Sequence, residues 1–238
     1  MKGLILAIQF LTRLPTPRIN AATQDFARAV RWFPLIGLLI GALVAAAAFV
    51  GAKLDAWTGA LAALITWVAL TGALHLDGLA DIADAAGAAH KGPDRLRAVL
   101  ADPHVGSFGA VAIALQLIAK LVLLHTLVER GLWLPICLTP FAARIAPLGW
   151  ALALPPLHEG LGSLFRDGLR LAYILFWAAV LICAAWLVPA LLATSLIAGL
   201  WGLWLRRRIG GISGDGHGAG IELVETGLLA CSLFAAAP

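Results

Sequence analysis

The sequence predicts an all-α, polytopic integral membrane helix bundle, about seven transmembrane helices preceded by an N-terminal interfacial helix. Three observations carry this reading. Hydrophobic residues make up 61% of the 238 and charged residues 13%, with a mean hydropathy of +0.93, a balance far from that of soluble domains. Seven apolar runs approach the ~20 residues that cross a bilayer. The basic residues are also distributed unevenly between alternate loops, as the orientation rule for membrane proteins requires.

Met1 to Thr12 joins a basic start to a short apolar run, followed by Arg13, Pro15 and Pro17 rather than a small-residue cleavage site. It reads as an interfacial helix. The spans follow at 33–51, 57–74, 106–127, 132–154, 171–188, 189–205 and 218–236. The sixth is short, and the last contains Glu222 and Glu225. With the N-terminus cytoplasmic, that side carries Lys2, Arg13, Arg18, Arg28, Arg31, Lys91, Arg95, Arg97, Arg166, Arg170 and Arg206 to Arg208. The opposite side carries only Lys53 and Arg130. Trp32, Trp57, Trp133, Trp186, Trp201 and Trp204 fall near span ends, where amphipathic rings settle. Nothing divides the chain, so residues 1–238 read as a single membrane-embedded domain.

Several functions are set aside by the same pattern. The pI of about 9.3 reflects loop orientation and anionic lipid heads, not nucleic-acid affinity. Cys137, Cys183 and Cys231 stand singly in apolar runs, without the spacing of a zinc or redox site. Gly37 and Gly41 form a G-x-x-x-G spacing compatible with close helix approach and with a homo-oligomer.

Chemistry is sought at 75–84, where His75, Asp77, Asp81 and Asp84 border an apolar run. The i, i+4, i+7 spacing puts the three carboxylates on one helix face, where unpaired anions repel and a divalent cation would resolve the repulsion. Oxygen-only ligands suit Mg²⁺ or Mn²⁺, and Mg²⁺ typically takes one or two carboxylates plus substrate phosphates. Asp102, in the segment Asp102-Pro103-His104-Val105-Gly106-Ser107, reads either as a further ligand or as a cap, and its glycines open backbone N–H groups to a phosphate. Gly214-Asp215-Gly216-His217-Gly218 is a second glycine-rich turn, with Glu222 two helical turns deeper. Lys120 and Arg144 lie inside spans, where charge is costly. Each is read as functional or paired, Arg144 facing the bundle interior toward either a substrate anion or a structural partner. His90, His104, His158 and His217 read as interface or substrate contacts.

In order, the motifs Phe10-Leu11-Thr12-Arg13-Leu14-Pro15, Phe33-Pro34-Leu35-Ile36-Gly37, His75-Leu76-Asp77-Gly78-Leu79-Ala80-Asp81 with Asp84, Val105-Gly106-Ser107-Phe108-Gly109, and Gly214-Asp215 with Gly218-Ala219 and Glu222-Leu223 resemble the cobalamin synthase family, the adenosylcobinamide-GDP ribazoletransferases. The resemblance implies a bacterial inner-membrane enzyme with a cytoplasmic site. Its implied reaction is Mg²⁺-dependent transfer of adenosylcobinamide phosphate from adenosylcobinamide-GDP to α-ribazole or its 5′-phosphate, releasing GMP. It implies Asp77, Asp81, Asp84, Asp102, Asp215 and Glu222 as metal-site residues, with Asp81, as ligand or base, foremost among the catalytic group Asp77, Asp81, Asp84 and His75. Arg13, Arg144, Lys120, Ser107 and Gly214 are then the phosphate or substrate contacts. The chain departs from the family at Pro103-His104, where Ser-Arg is usual, at Leu157-His158 and at Gly216-His217. A cation-coupled transporter and a different membrane phosphotransferase are the competing readings.

Overall fold

The computed structural model describes residues 2–89, 92–157 and 164–236, and among them no strand forms beyond an isolated bridge between Pro156 and Ile212. Helix α1 (Lys2–Leu11) buries Leu6, Ala7 and Leu11 against the short α2 (Thr23–Ala27) and against α3 (Phe33–Gly51). Phe10, Phe26, Phe33 and Phe165 stack into one aromatic cluster there, with neighbouring centroids 5.2–5.9 Å apart.

At the turn after α3, the Asp55 carboxylate accepts the Thr58 N–H at 3.0 Å and so starts α4 (Ala56–Thr71). Next comes α5 (Leu74–Ala88), bent by 84° from α4. The break is built by two left-handed residues, Gly72 (φ 60°) and Ala73 (φ 58°). The Arg13 side chain lies against Gly72, and the Arg13 N–H donates to the Leu70 carbonyl at 2.7 Å.

Beyond α6 (Pro93–Leu100), α7 (Ser107–Glu129) runs the depth of the bundle. The fourth apolar run is also divided, into α8 (Trp133–Ala143) and α9 (Ala146–Ala153), with Arg144 at the junction. Short α10 (Phe165–Gly168) leads to α11 (Leu171–Ala185), then α12 (Ala193–Arg208), which ends on three arginines, and α13 (Gly214–Ala235).

All seven apolar runs are helical, but fewer than seven are long enough to cross a membrane alone. Five stretches qualify: Thr23–Gly51, Ser107–Glu129, Trp133–Ala153, Pro189–Arg208 and Gly214–Ala235. The bent pair α4–α5 makes a sixth when counted as one span. The acids at 77–84, expected on one helix face bordering an apolar run, sit on α5, the second helix of this bent pair. Helix α11, with 15 residues, is the short one, and only its Ala185 is buried. Outward-facing Leu115, Ile118, Leu175, Phe176, Leu196 and Leu200 are exposed, as a lipid-facing surface requires.

The G-x-x-x-G pair is used within the chain. A Cβ at Gly37 or Gly41 would overlap the backbone of Pro140 or Cys137, so these glycines let α3 and α8 touch. This correction removes the sequence argument for a homo-oligomer built on that motif.

Candidate functional site

Three of the sequence-predicted acids are brought together by a close helix crossing. A Cβ on Gly78 would meet the backbone of Asp215, so α5 and the start of α13 pack with almost nothing between them. Gly78 stands between Asp77 and Asp81 in the chain, and the crossing carries both toward Asp215. Asp81 is half-buried and lies within electrostatic reach of Asp215, Asp77 and Asp84. Neither Asp77 nor Asp81 forms an ion pair with a described residue. Like charges without a cation are an unfavourable arrangement, most of all near an apolar layer.

Asp84 has a different task from the metal ligand expected of it. Its two oxygens accept the N–H groups of Gly106 at 2.7 Å and Gly109 at 3.0 Å. These donors open α7, so Asp84 caps that helix from 22 residues upstream. A Cβ at Gly106 or Gly109 would collide with the carboxylate, which explains both glycines of the motif. Ser107 is exposed at the first turn of α7, beside the capped N–H groups.

Asp102 is also reassigned. Its carboxylate accepts the His104 N–H at 3.0 Å and contacts the His104 ring at 2.7 Å, both side chains being exposed. These contacts make a local turn. Among the described residues, no three His, Cys, Asp or Glu side chains converge as ready-made metal ligands. Of the six acids expected to form one metal set, Asp77, Asp84 and Asp215 lie within electrostatic reach of Asp81, Asp84 and Asp215 also accepting hydrogen bonds, while Asp102 contacts His104 and Glu222 pairs with Lys120.

Glu222 belongs to a buried charge network that the sequence did not assemble. Lys120 Nζ lies 2.7 Å from Glu222 and 2.5 Å from Glu225, and Arg144 Nη1 donates to Glu225 at 2.7 Å. Gln116 donates to the Glu222 carboxylate at 2.8 Å and to Thr226 at 2.7 Å. The Arg144 side chain also satisfies the Pro140 carbonyl at 3.0 Å, at the end of α8. Two cations balance two anions, the only economical way to hold such groups inside an apolar bundle. Arg144 and Lys120, expected as phosphate contacts, are therefore structural here: Arg144 is fully buried and Lys120 nearly so. His75 is buried with them, its Nδ1 3.5 Å from Arg144 Nη2, and is not part of an exposed catalytic group.

The glycines of the last motif serve packing more than phosphate approach. Gly218 meets His75, and a Cβ on Gly220 would overlap Trp150 and Trp201. Gly214 alone has open space around it, at the exposed first turn of α13, where Ser213 caps by accepting the Gly216 N–H at 3.1 Å. His217 is buried against Trp150 and Phe165 and does not face solvent. Exposed Arg13 rests on the α4–α5 break. His90 and His158 lie outside the described residues.

Missing from the expected site were Gln116 and the Glu225 pairing. A polar residue four positions before Lys120, and two glutamates one turn apart in a span, were the available signals.

Fold and site together define an all-helical membrane protein in which the second half of the bent pair α4–α5 gathers a carboxylate cluster against α13. The chain matches the cobalamin-5-phosphate synthase family model over residues 3–233 and belongs to that family. It is a transferase of cobalamin biosynthesis, which settles the choice against the transporter. A protein of Novosphingobium aromaticivorans is 60% identical over 96% of this chain and 95% of its own length. Similar proteins of Laribacter hongkongensis (51%; 99% and 98%) and Thiobacillus denitrificans (49%; 96% and 94%) also carry the name adenosylcobinamide-GDP ribazoletransferase. No solved structure matches the chain.

Proposed function

We propose that this protein is an adenosylcobinamide-GDP ribazoletransferase of the bacterial inner membrane, working at its cytoplasmic face with Mg²⁺. The reading is carried by one observation: Asp77, Asp81 and Asp215 gather at a glycine-mediated crossing with no cation paired to the first two. Within a family that handles a diphosphate substrate, such a cluster suits a divalent cation. The oxygen donors fit Mg²⁺, which commonly binds through one or two carboxylates and lets substrate phosphates supply the rest. When bound, the ion would neutralise charge on the phosphate oxygens.

In the reaction, a hydroxyl of α-ribazole, or of its 5′-phosphate, attacks the cobinamide-linked phosphorus. A new P–O bond forms, the P–O bond to GMP breaks, and the hydroxyl proton passes to a nearby carboxylate. Asp81 serves as that base or as a metal ligand, flanked by Asp77 and Asp215. Asp84 holds the N-terminus of α7 in place, presenting Ser107 and the adjoining backbone to the substrate. Gly214 leaves the start of α13 open on the same side. The cytoplasmic placement rests on the excess of Lys and Arg at the loops on this side of the spans.

Purified protein supplied with adenosylcobinamide-GDP, α-ribazole and Mg²⁺ is expected to release GMP and form cobalamin, both followed by mass spectrometry. Asp81→Ala is expected to lose at least about a hundredfold in rate, the scale of a proton-transfer group, with its melting transition retained. Folded wild-type protein that yields neither product would overturn the reading.

A further inference from the structure

We propose that Arg28, Arg31 and Arg170 form a second ligand site, a pocket for an organic phosphate, separate from the carboxylate cluster. A cavity of about 460 Å³ lies between the turn at Val30–Trp32, α10 and the start of α11. Its charged lining is three guanidinium groups and one carboxylate, Asp167, a net charge of two positive. None of the three arginines is ion-paired to a described residue.

Arg31 is held in position from several sides. Its Nη1 donates to the Tyr173 hydroxyl at 2.9 Å, and its guanidinium lies 5.3 Å from the Tyr173 ring and 5.6 Å from the Trp32 ring. Trp177 Nε1 donates to the Arg31 carbonyl at 2.7 Å. With that side chain fixed, its buried Nε–H is left without a partner. A guanidinium held in place in this way, beside two more arginines on the cavity wall, matches the oxygens of a phosphate.

The cavity is larger than a bare phosphate needs and falls in the size range of small-molecule sites. Its occupant is therefore a phosphate ester with an organic part. Two sources have that chemistry: an anionic lipid headgroup, and a soluble phosphate ester such as a nucleotide or sugar phosphate. Tyr173 lines the pocket with a ring of the kind that settles at a membrane–water interface, where both sources are available. The carboxylate cluster and the buried ion pairs contribute no residue to the lining.

Native mass spectrometry of the full chain in detergent tests the site with dioleoyl-phosphatidylglycerol and with glycerol 3-phosphate, against dioleoylglycerol and glycerol as uncharged controls. Wild type is expected to retain at least one phosphate probe above its control. The double variant Arg28→Gln/Arg170→Gln, at two exposed positions, is expected to weaken that binding at least tenfold, and Arg31→Gln to weaken it further. Retention of the lipid alone assigns a headgroup, and retention of glycerol 3-phosphate assigns a soluble ester. Binding no better than the controls, or undiminished in a double variant with an unchanged melting temperature, would overturn the proposal.

Discussion

Glu225 receives both Lys120 and Arg144 in a fully buried position, and its consequence is energetic before it is chemical. Removing one member of a buried pair leaves the other charge stranded, at a cost of about 3–5 kcal/mol. Glu225→Leu is expected to show that loss in detergent unfolding, whereas Gly199→Ala, at a position with open space around it, stays within about 0.5 kcal/mol. Asp84 gives a sharper test, since a cap and a metal ligand fail differently. Asp84→Ala should destabilise the protein by about 1–2 kcal/mol, as loss of a helix cap does, and leave the Mg²⁺ dependence of turnover unshifted. A ligand role would instead raise the Mg²⁺ concentration needed for half-maximal rate. The acidic face at 77–84 was legible from spacing alone. That one of its three carboxylates turns toward the backbone of α7 was not, because the donors lie 22 and 25 residues away.

At the scale of the element, the bent pair α4–α5 positions the acids, while α8 and α9 continue one span through a short interruption at Arg144. Gly72 occupies the left-handed region at φ 60°, with the Arg13 side chain where a Cβ would be. A β-branched residue there meets both the backbone penalty of that region, about 1–2 kcal/mol, and the arginine. Gly72→Val is therefore expected to lower the melting temperature and to reduce turnover by tilting α5 and its acids, while Gly149→Ala, with open space around it, changes neither. Hydropathy reads the first break as the end of a span and the second as no break at all. Apolar residues flank position 144 on both sides, so the interruption is marked only by Arg144 and the prolines at 140 and 147. Small residues also had a second meaning. Gly37 and Gly41 looked like an association signal, and they, like Gly78, are contact points between helices of the same chain.

Over the whole molecule, basic loops, paired interior charges and an acidic cluster stand in separate places of the fold. Chelation of Mg²⁺ is expected to abolish GMP release from wild-type protein, and restored Mg²⁺ to recover it, without a change in the helical circular dichroism signal. The buried charges balance among themselves and need no metal to stay folded. Recovery of activity without added metal after exhaustive chelation would count against a metal-dependent transfer. Orientation is checked by single cysteines at Ser107 and Lys53 in a background free of Cys137, Cys183 and Cys231, labelled with impermeant maleimide in intact cells. The label is expected at position 53 only.

The sequence by itself determined that this chain is an all-helical membrane protein, where its apolar helices run, which loops are basic, and that 77–84 carries an acidic face. Composition, period and charge asymmetry are local quantities, and a bilayer converts them directly into spans and orientation. Tertiary structure alone decided which polar residues meet. It joined Asp215 to Asp77 and Asp81 across a glycine contact, matched Lys120 and Arg144 with Glu222 and Glu225, and turned Asp84 into a cap. Those partners lie up to 138 residues apart, as with Asp77 and Asp215. In an interior that cannot solvate charge, each group's role is set by whichever partner the packing brings within hydrogen-bonding distance.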